Sequence, residues 1–140
     1  MHVDLKKYMG KWFEIARIKN EFEPNMKKVT AQYNLNEDDT IQVINSGYID
    51  DTLKEIIGTA KTTNENNLLL ISFRHPIYSQ YKILFVDDDY QYALVGGSSE
   101  NYLWVLSRTP NLDKAILDKM INIAKEEKYN INKIVLTEQN

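Results

Sequence analysis

The sequence predicts an all-β fold with one helix: an eight-stranded antiparallel up-and-down β-barrel carrying a C-terminal α-helix on its outside. Three observations predict it. Eight segments alternate in polarity with period two, about 10 to 13 residues apart and mostly joined by short polar turns. One later segment, Leu112 to Lys128, switches to helical spacing. Finally, Gly10-Lys11-Trp12 opens the first strand, and Arg108 closes the eighth. A planar guanidinium there can lie on the Trp12 indole if the first and last strands are neighbours, and a sheet whose ends meet is a barrel.

Taken in order, Asp4 to Met9 reads as a short helical turn capped by Asp4. Trp12 to Ile18 is the first strand, with Phe13 and Ile15 on one face and Trp12, Glu14 and Ala16 on the other, inner face. Lys19 to Lys27, containing Phe22 and Pro24, is too long for a tight hairpin and is expected to cross the open end. Val29 to Leu35 and Ile41 to Tyr48 follow around the turn Asn36-Glu37-Asp38-Asp39. Leu53 to Thr62 and Leu68 to Phe73 form the next pair, which Pro76 ends. Tyr81 to Val86, Tyr92 to Val95 and Tyr102 to Ser107 complete the set. Asn111 is the expected helix cap, and Leu112, Ile116, Leu117, Met120, Ile121 and Ala124 make one apolar stripe for the barrel wall. Ile131 to Leu136 reads as a short last strand. No repeat or linker divides residues 1–140, which read as a single domain.

Composition narrows the function. Hydrophobic residues make up 43% and charged residues 26%, the balance of a globular chain. The net charge is −3 with both signs scattered and no basic tract, so no nucleic-acid partner is expected. Apolar runs such as Leu68-Leu69-Leu70-Ile71 are strand-sized and fall far short of the roughly 18 residues a membrane-spanning helix needs. There are no cysteines, which removes disulfides, thiolate metal sites and a cysteine nucleophile. The two histidines, His2 and His75, have no neighbours suited to a triad or a metal site, and Asp87-Asp88-Asp89 reads as a solvated turn. No cofactor, metal or catalytic residue is assigned.

Alternation instead points to a cavity. Tyr102, Trp104, Leu106 and Arg108 share one face, leaving Leu103 and Val105 for the helix. Ala31, Asn45, Gly47 and Ala93 are small or polar interior positions that leave space among larger side chains. The expected ligand-facing residues are Tyr33, Asn45, Ile71, Phe73, Tyr78, Tyr81, Ile83 and Trp104. Gly10, Trp12 and Arg108 are read as structural, closing one end. Glu14, inward and needing a partner, is expected to bond an interior tyrosine hydroxyl and stabilise the barrel; the alternative is that it borders the cavity and tunes its polarity. The mouth is expected near Phe22-Glu23-Pro24, Ile56-Ile57 and Pro76-Ile77-Tyr78.

These residues carry a family likeness. Gly10-Lys11-Trp12 matches the lipocalin glycine-x-tryptophan motif, and Arg108 matches the basic residue ending the eighth strand. Val86-Asp87-Asp88-Asp89-Tyr90 stands where the middle motif is normally Thr-Asp-Tyr, with the threonine missing. Trp12 to Arg17, Val29 to Tyr33, Asn45 to Tyr48 and Tyr102 to Pro110 resemble the bacterial lipocalin subgroup, relatives of apolipoprotein D. The resemblance implies non-covalent binding, storage or transport of a small lipophilic molecule, a fatty acid or lysophospholipid, by a monomer or weak homodimer. An enzyme acting on a lipophilic substrate in the same cavity is the alternative. It also implies the bacterial outer membrane or periplasm. The leader and lipid-modified cysteine that usually anchor this subgroup are not seen in this sequence, so cytoplasmic or secreted locations are alternatives.

Overall fold

A computed structural model describes residues 2–19 and 25–140. Strands β1 (Gly10–Ile18), β2 (Lys27–Leu35), β3 (Ile41–Ile49) and β4 (Thr52–Thr62) are followed by β5 (Leu68–Arg74), β6 (Ile77–Val86), β7 (Tyr92–Gly96) and β8 (Leu103–Ser107). Each pairs antiparallel with the next, and β1 pairs with both β8 and β2, so the eight-stranded barrel is closed. Helix α1 (Leu5–Tyr8) precedes the barrel, and α2 (Lys114–Glu126) follows it. A 3₁₀ turn at Ile131–Lys133 then leads into β9 (Ile134–Leu136), which pairs with the upper part of β1.

Strand alternation sorts the apolar residues into two cores. The inner one holds Tyr8, Trp12, Tyr33, Val43, Leu69, Ile83 and Val95 within the barrel. The outer one joins Ile15, Ile18, Leu94, Leu103 and Val105 to Met120 and Ala124 of α2. Leu103 and Val105 thus face the helix, as the alternation predicts. Asp113, rather than Asn111, caps α2: its carboxylate accepts the Ala115 N–H at 3.1 Å. The Asn111 carbonyl is instead taken by the Thr109 hydroxyl at 2.7 Å. Pro76 occupies the short turn between β5 and β6, and β6 starts at Ile77, four residues before the expected Tyr81.

One local feature changes which residues point inward. The β1–β8 register shifts between Glu14 and Ala16, the mark of a β-bulge. Trp12 and Glu14 face the interior as expected, but Ala16 packs on the helix side and Arg17 turns inward.

The end bearing α1 is closed. Arg108 lays its guanidinium on Trp12, with Cζ 3.7 Å from a ring centroid. Its Nε donates to the Tyr90 carbonyl at 3.0 Å, Nη1 to Lys11 at 3.0 Å, and Nη2 to Lys7 and Tyr8 at 3.0 and 3.3 Å. Gly10 has φ +100°, and a Cβ there would lie 3.3 Å from Arg108 Nη1. Backbone conformation and close approach both favour glycine at this position. The Asp87–Tyr90 turn serves the same end. Asp87 accepts the Gln91 and Tyr92 N–H groups at 2.7 and 2.9 Å, and the Tyr90 hydroxyl accepts from the Asp4 N–H at 2.8 Å.

Candidate functional site

At the opposite end, a cavity of about 780 Å³ opens inside the barrel. Its walls follow from alternation. On β6, Ile77, Ser79 and Tyr81 point inward; on β8, Trp104 and Leu106 do; on β5, Ile71 and Phe73 do. Ala31 of β2 and Asn45 of β3 keep the opposite wall low. A Cβ on Gly58 of β4 would meet the Ser72 carbonyl at 2.5 Å and the Phe73 ring at 2.6 Å, so the absence of a side chain lets that ring lie against the strand.

Of the eight residues the sequence places against a ligand, Tyr33, Asn45, Ile71, Phe73, Tyr81 and Trp104 line this space. Tyr78 does not. It alternates with Ile77 and Ser79, so its ring stands outside, where Lys61 Nζ lies 4.2 Å from its centroid. Ile83 does not either. It is inward but one pleat deeper than Tyr81, fully buried in the packing below the cavity floor. Ala93 lies in that same inner core, and Gly47 is covered by Met26 and Val29. At the mouth, Ile56 and Ile77 line the cavity while remaining half or more exposed, and Lys54 and Arg74 add positive charge. Ile57 alternates away to the outer surface. Phe22, Glu23 and Pro24 lie outside the described residues.

Two polar groupings sit in this apolar space. On the wall, Arg17 Nη1 donates to Glu14 Oε2 at 3.0 Å, and the Thr137 hydroxyl donates to the same oxygen at 2.6 Å. Arg17 Nη2 reaches the Asn25 side chain at 3.2 Å. Glu14 is therefore matched by an arginine and a threonine, not by the tyrosine expected. Arg17 escapes the sequence reading because the bulge breaks strict alternation, and Thr137 because it arrives from beyond the last strand. On the floor, the Tyr81 hydroxyl lies 2.7 Å from that of Tyr8 and 2.8 Å from that of Tyr33. Burial pushes all three phenols upward, Tyr33 to about 12, so they remain protonated at neutral pH.

Among the described residues, no group of histidine, cysteine, aspartate and glutamate could hold a metal ion, and no helix is long and apolar enough to cross a membrane.

Residues 3–139 match the family described as the lipocalin-like domain. The outer membrane lipoprotein Blc of Vibrio cholerae is 38% identical, covering 97% of this chain and 82% of that protein. Temperature-induced lipocalin-1 of Arabidopsis thaliana is 34% identical over 98% of the chain and 80% of its own length. Mouse apolipoprotein D is 30% identical over 97% and 77%. Among solved structures, lobster apocrustacyanin A1 superposes with a TM-score of 0.79 at 21% identity, covering 96% of this chain and 79% of that one, a likeness of fold.

Proposed function

The chain belongs to the lipocalin family, and from that premise we propose that it holds a fatty acid or lysophospholipid non-covalently in the barrel cavity. The observation that carries this reading is the cavity itself: about 780 Å³, apolar on most walls, open at one end, and bordered there by Lys54 and Arg74. Function then means partition. Each methylene that leaves water contributes about 0.8 kcal/mol, so a sixteen-carbon chain gains roughly 10 kcal/mol before its lost freedom is subtracted. The carboxylate or phosphate stays at the mouth, beside the two basic side chains.

Reaction chemistry is the less favoured reading. Of the two carboxylates among the described lining residues, Glu14 is engaged by Arg17 and Thr137 and Glu55 accepts the Ser46 hydroxyl, while the buried phenols hold their protons. We place the protein in the cell envelope, as the name of the Vibrio cholerae relative suggests. It works there as a single lipocalin domain, monomeric or weakly dimeric.

Native mass spectrometry of freshly purified protein tests the reading. A retained mass matching a fatty acid or lysophospholipid, released by organic extraction, is expected. A bare protein mass, together with failure to take up added palmitate or lysophosphatidylcholine after delipidation, would overturn it.

A further inference from the structure

The cavity floor is not apolar. Tyr8, Tyr33 and Tyr81 are almost wholly buried, and their three hydroxyls form a chain centred on Tyr81. Proton counting shows what this chain leaves over. Three phenols carry three O–H groups, and two hydroxyl–hydroxyl contacts consume two of them. Among the described residues, none of the three hydroxyls makes another hydrogen bond. One O–H is therefore surplus. If the bonds run from Tyr8 through Tyr81 to Tyr33, the surplus proton is on Tyr33. If Tyr8 and Tyr33 both donate to Tyr81, it is on Tyr81. Both residues line the cavity, and Tyr8 does not. The remaining arrangement strands the proton on Tyr8, with no acceptor. A buried donor without a partner is costly, so an acceptor brought to the floor selects the first two arrangements.

Resting on the lipid-carrier reading, we propose that the tyrosine floor is a hydrogen-bond-donor subsite, and that the preferred ligand is an oxygenated acyl chain. Its keto or hydroxyl oxygen accepts the surplus O–H of Tyr33 or Tyr81. The phenols suit a donor role because burial keeps them protonated. Depth sets where the oxygen belongs. Ile77 at the mouth and Tyr81 at the floor are four residues apart on β6, roughly 13 Å of strand, about the reach of ten carbons. The oxygen therefore sits near the middle of a sixteen-carbon chain, and the remaining methylenes fold back within the cavity.

The test uses delipidated protein and six probes: palmitate, and hexadecanoates carrying one ketone at the sixth, eighth, tenth, twelfth or fourteenth carbon. In plain apolar surroundings every ketone weakens binding, by about tenfold or more, because its hydration is lost without replacement. The expected result is a position-dependent series, with the ketone near the tenth carbon binding at least as tightly as palmitate and the sixth and fourteenth clearly weaker. In the double variant Tyr33→Phe/Tyr81→Phe, the affinity of the favoured ketone relative to that of palmitate should fall by about tenfold. Circular dichroism and a cooperative thermal melt serve as the folding control. A measurement without any variant is the infrared carbonyl stretch of the favoured ketone, labelled with carbon-13. In wild-type protein it should fall at the frequency of a hydrogen-bonded ketone, and an apolar-solvent frequency would overturn the proposal. So would palmitate binding accompanied by equal weakening at every ketone position. A double variant that leaves the ketone preference and the shifted stretch unchanged would assign the bond to trapped water and overturn it as well. Failure of palmitate and all ketones alike would instead sink the lipid-carrier reading beneath it.

Discussion

Arg108 is the residue on which the closed end depends. One guanidinium covers the Trp12 ring and satisfies carbonyls from Lys7, Tyr8, Lys11 and Tyr90. Arg108→Ala should lower stability by about 2–3 kcal/mol, from lost stacking and stranded carbonyls, and Arg108→Lys should recover only part, since an ammonium lacks the planar fork. Urea denaturation measures both, and lipid affinity should change much less because the contact is remote from the cavity. The buried phenols give a second residue-level outcome. In the unfolded chain a tyrosine releases its proton near pH 10, whereas Tyr33 holds its own to about 12 and burial also raises Tyr8 and Tyr81. Between these values the unfolded state binds fewer protons. Stability is therefore fully present below pH 10 and is lost as pH rises through about 12, at about 1.4 kcal/mol per pH unit for each such tyrosine. Thermal melts at stepped alkaline pH should show this fall. Absorbance at 295 nm should show the three buried phenols, of nine tyrosines in all, ionising only as the protein unfolds. Gly10, Trp12 and Arg108 were legible in the sequence because each residue type has a narrow chemistry. Arg17 was not, because a single bulge between Glu14 and Ala16 exchanged which of two neighbours faces inward.

At the scale of elements, the strands β1 and β2 pair only from Gly10 to Phe13, and the chain after β9 joins their upper halves. The Thr137 N–H donates to the Ile15 carbonyl at 2.9 Å, and the Lys28 N–H to the Glu138 carbonyl at 2.6 Å. The Gln139 amide spans the gap, reaching the Glu14 and Val29 carbonyls at 2.7 and 3.0 Å. Deleting residues 137–140 should cost about 2–4 kcal/mol, from several hydrogen bonds at roughly 1 kcal/mol each. Hydrogen exchange should localise the damage, with the Lys28 amide losing protection while β5 and β6 keep theirs. Unchanged exchange at Lys28 would show that the seam holds without the tail. Sequence pattern reads side-chain periodicity, and so it located all eight barrel strands and α2. It could not foresee this strap, whose contacts are largely with backbone. It also extended α2 at both ends, because the apolar stripe persists into Leu112 while the Asp113 carboxylate decides where the helix begins. The start of β6 was missed for the opposite reason: the polar pair Ser79-Gln80 breaks the apolar signal although the backbone continues to pair with β5.

For the whole molecule, closure at one end and emptiness at the other are two outcomes of one alternation. Large inward side chains crowd the base, where Trp12, Tyr8, Ile83 and Leu69 pack together, while Ala31 and Asn45 leave the upper barrel open. That asymmetry was readable from residue sizes. The outward turn of Tyr78 and the depth of Ile83 were not, because each depends on where a strand starts relative to the floor. The two tryptophans now report on the two ends, Trp12 beneath Arg108 and Trp104 on the cavity wall. Titrating delipidated protein with palmitate, followed by tryptophan fluorescence in wild type and in Trp104→Phe, is the most direct test that the barrel is a lipid carrier. The account predicts saturable binding at micromolar concentrations or tighter, with the emission change lost in Trp104→Phe but most of the affinity kept, since phenylalanine preserves the apolar wall. Absence of binding by palmitate at about tens of micromolar, or an emission change carried by Trp12 instead, would contradict it.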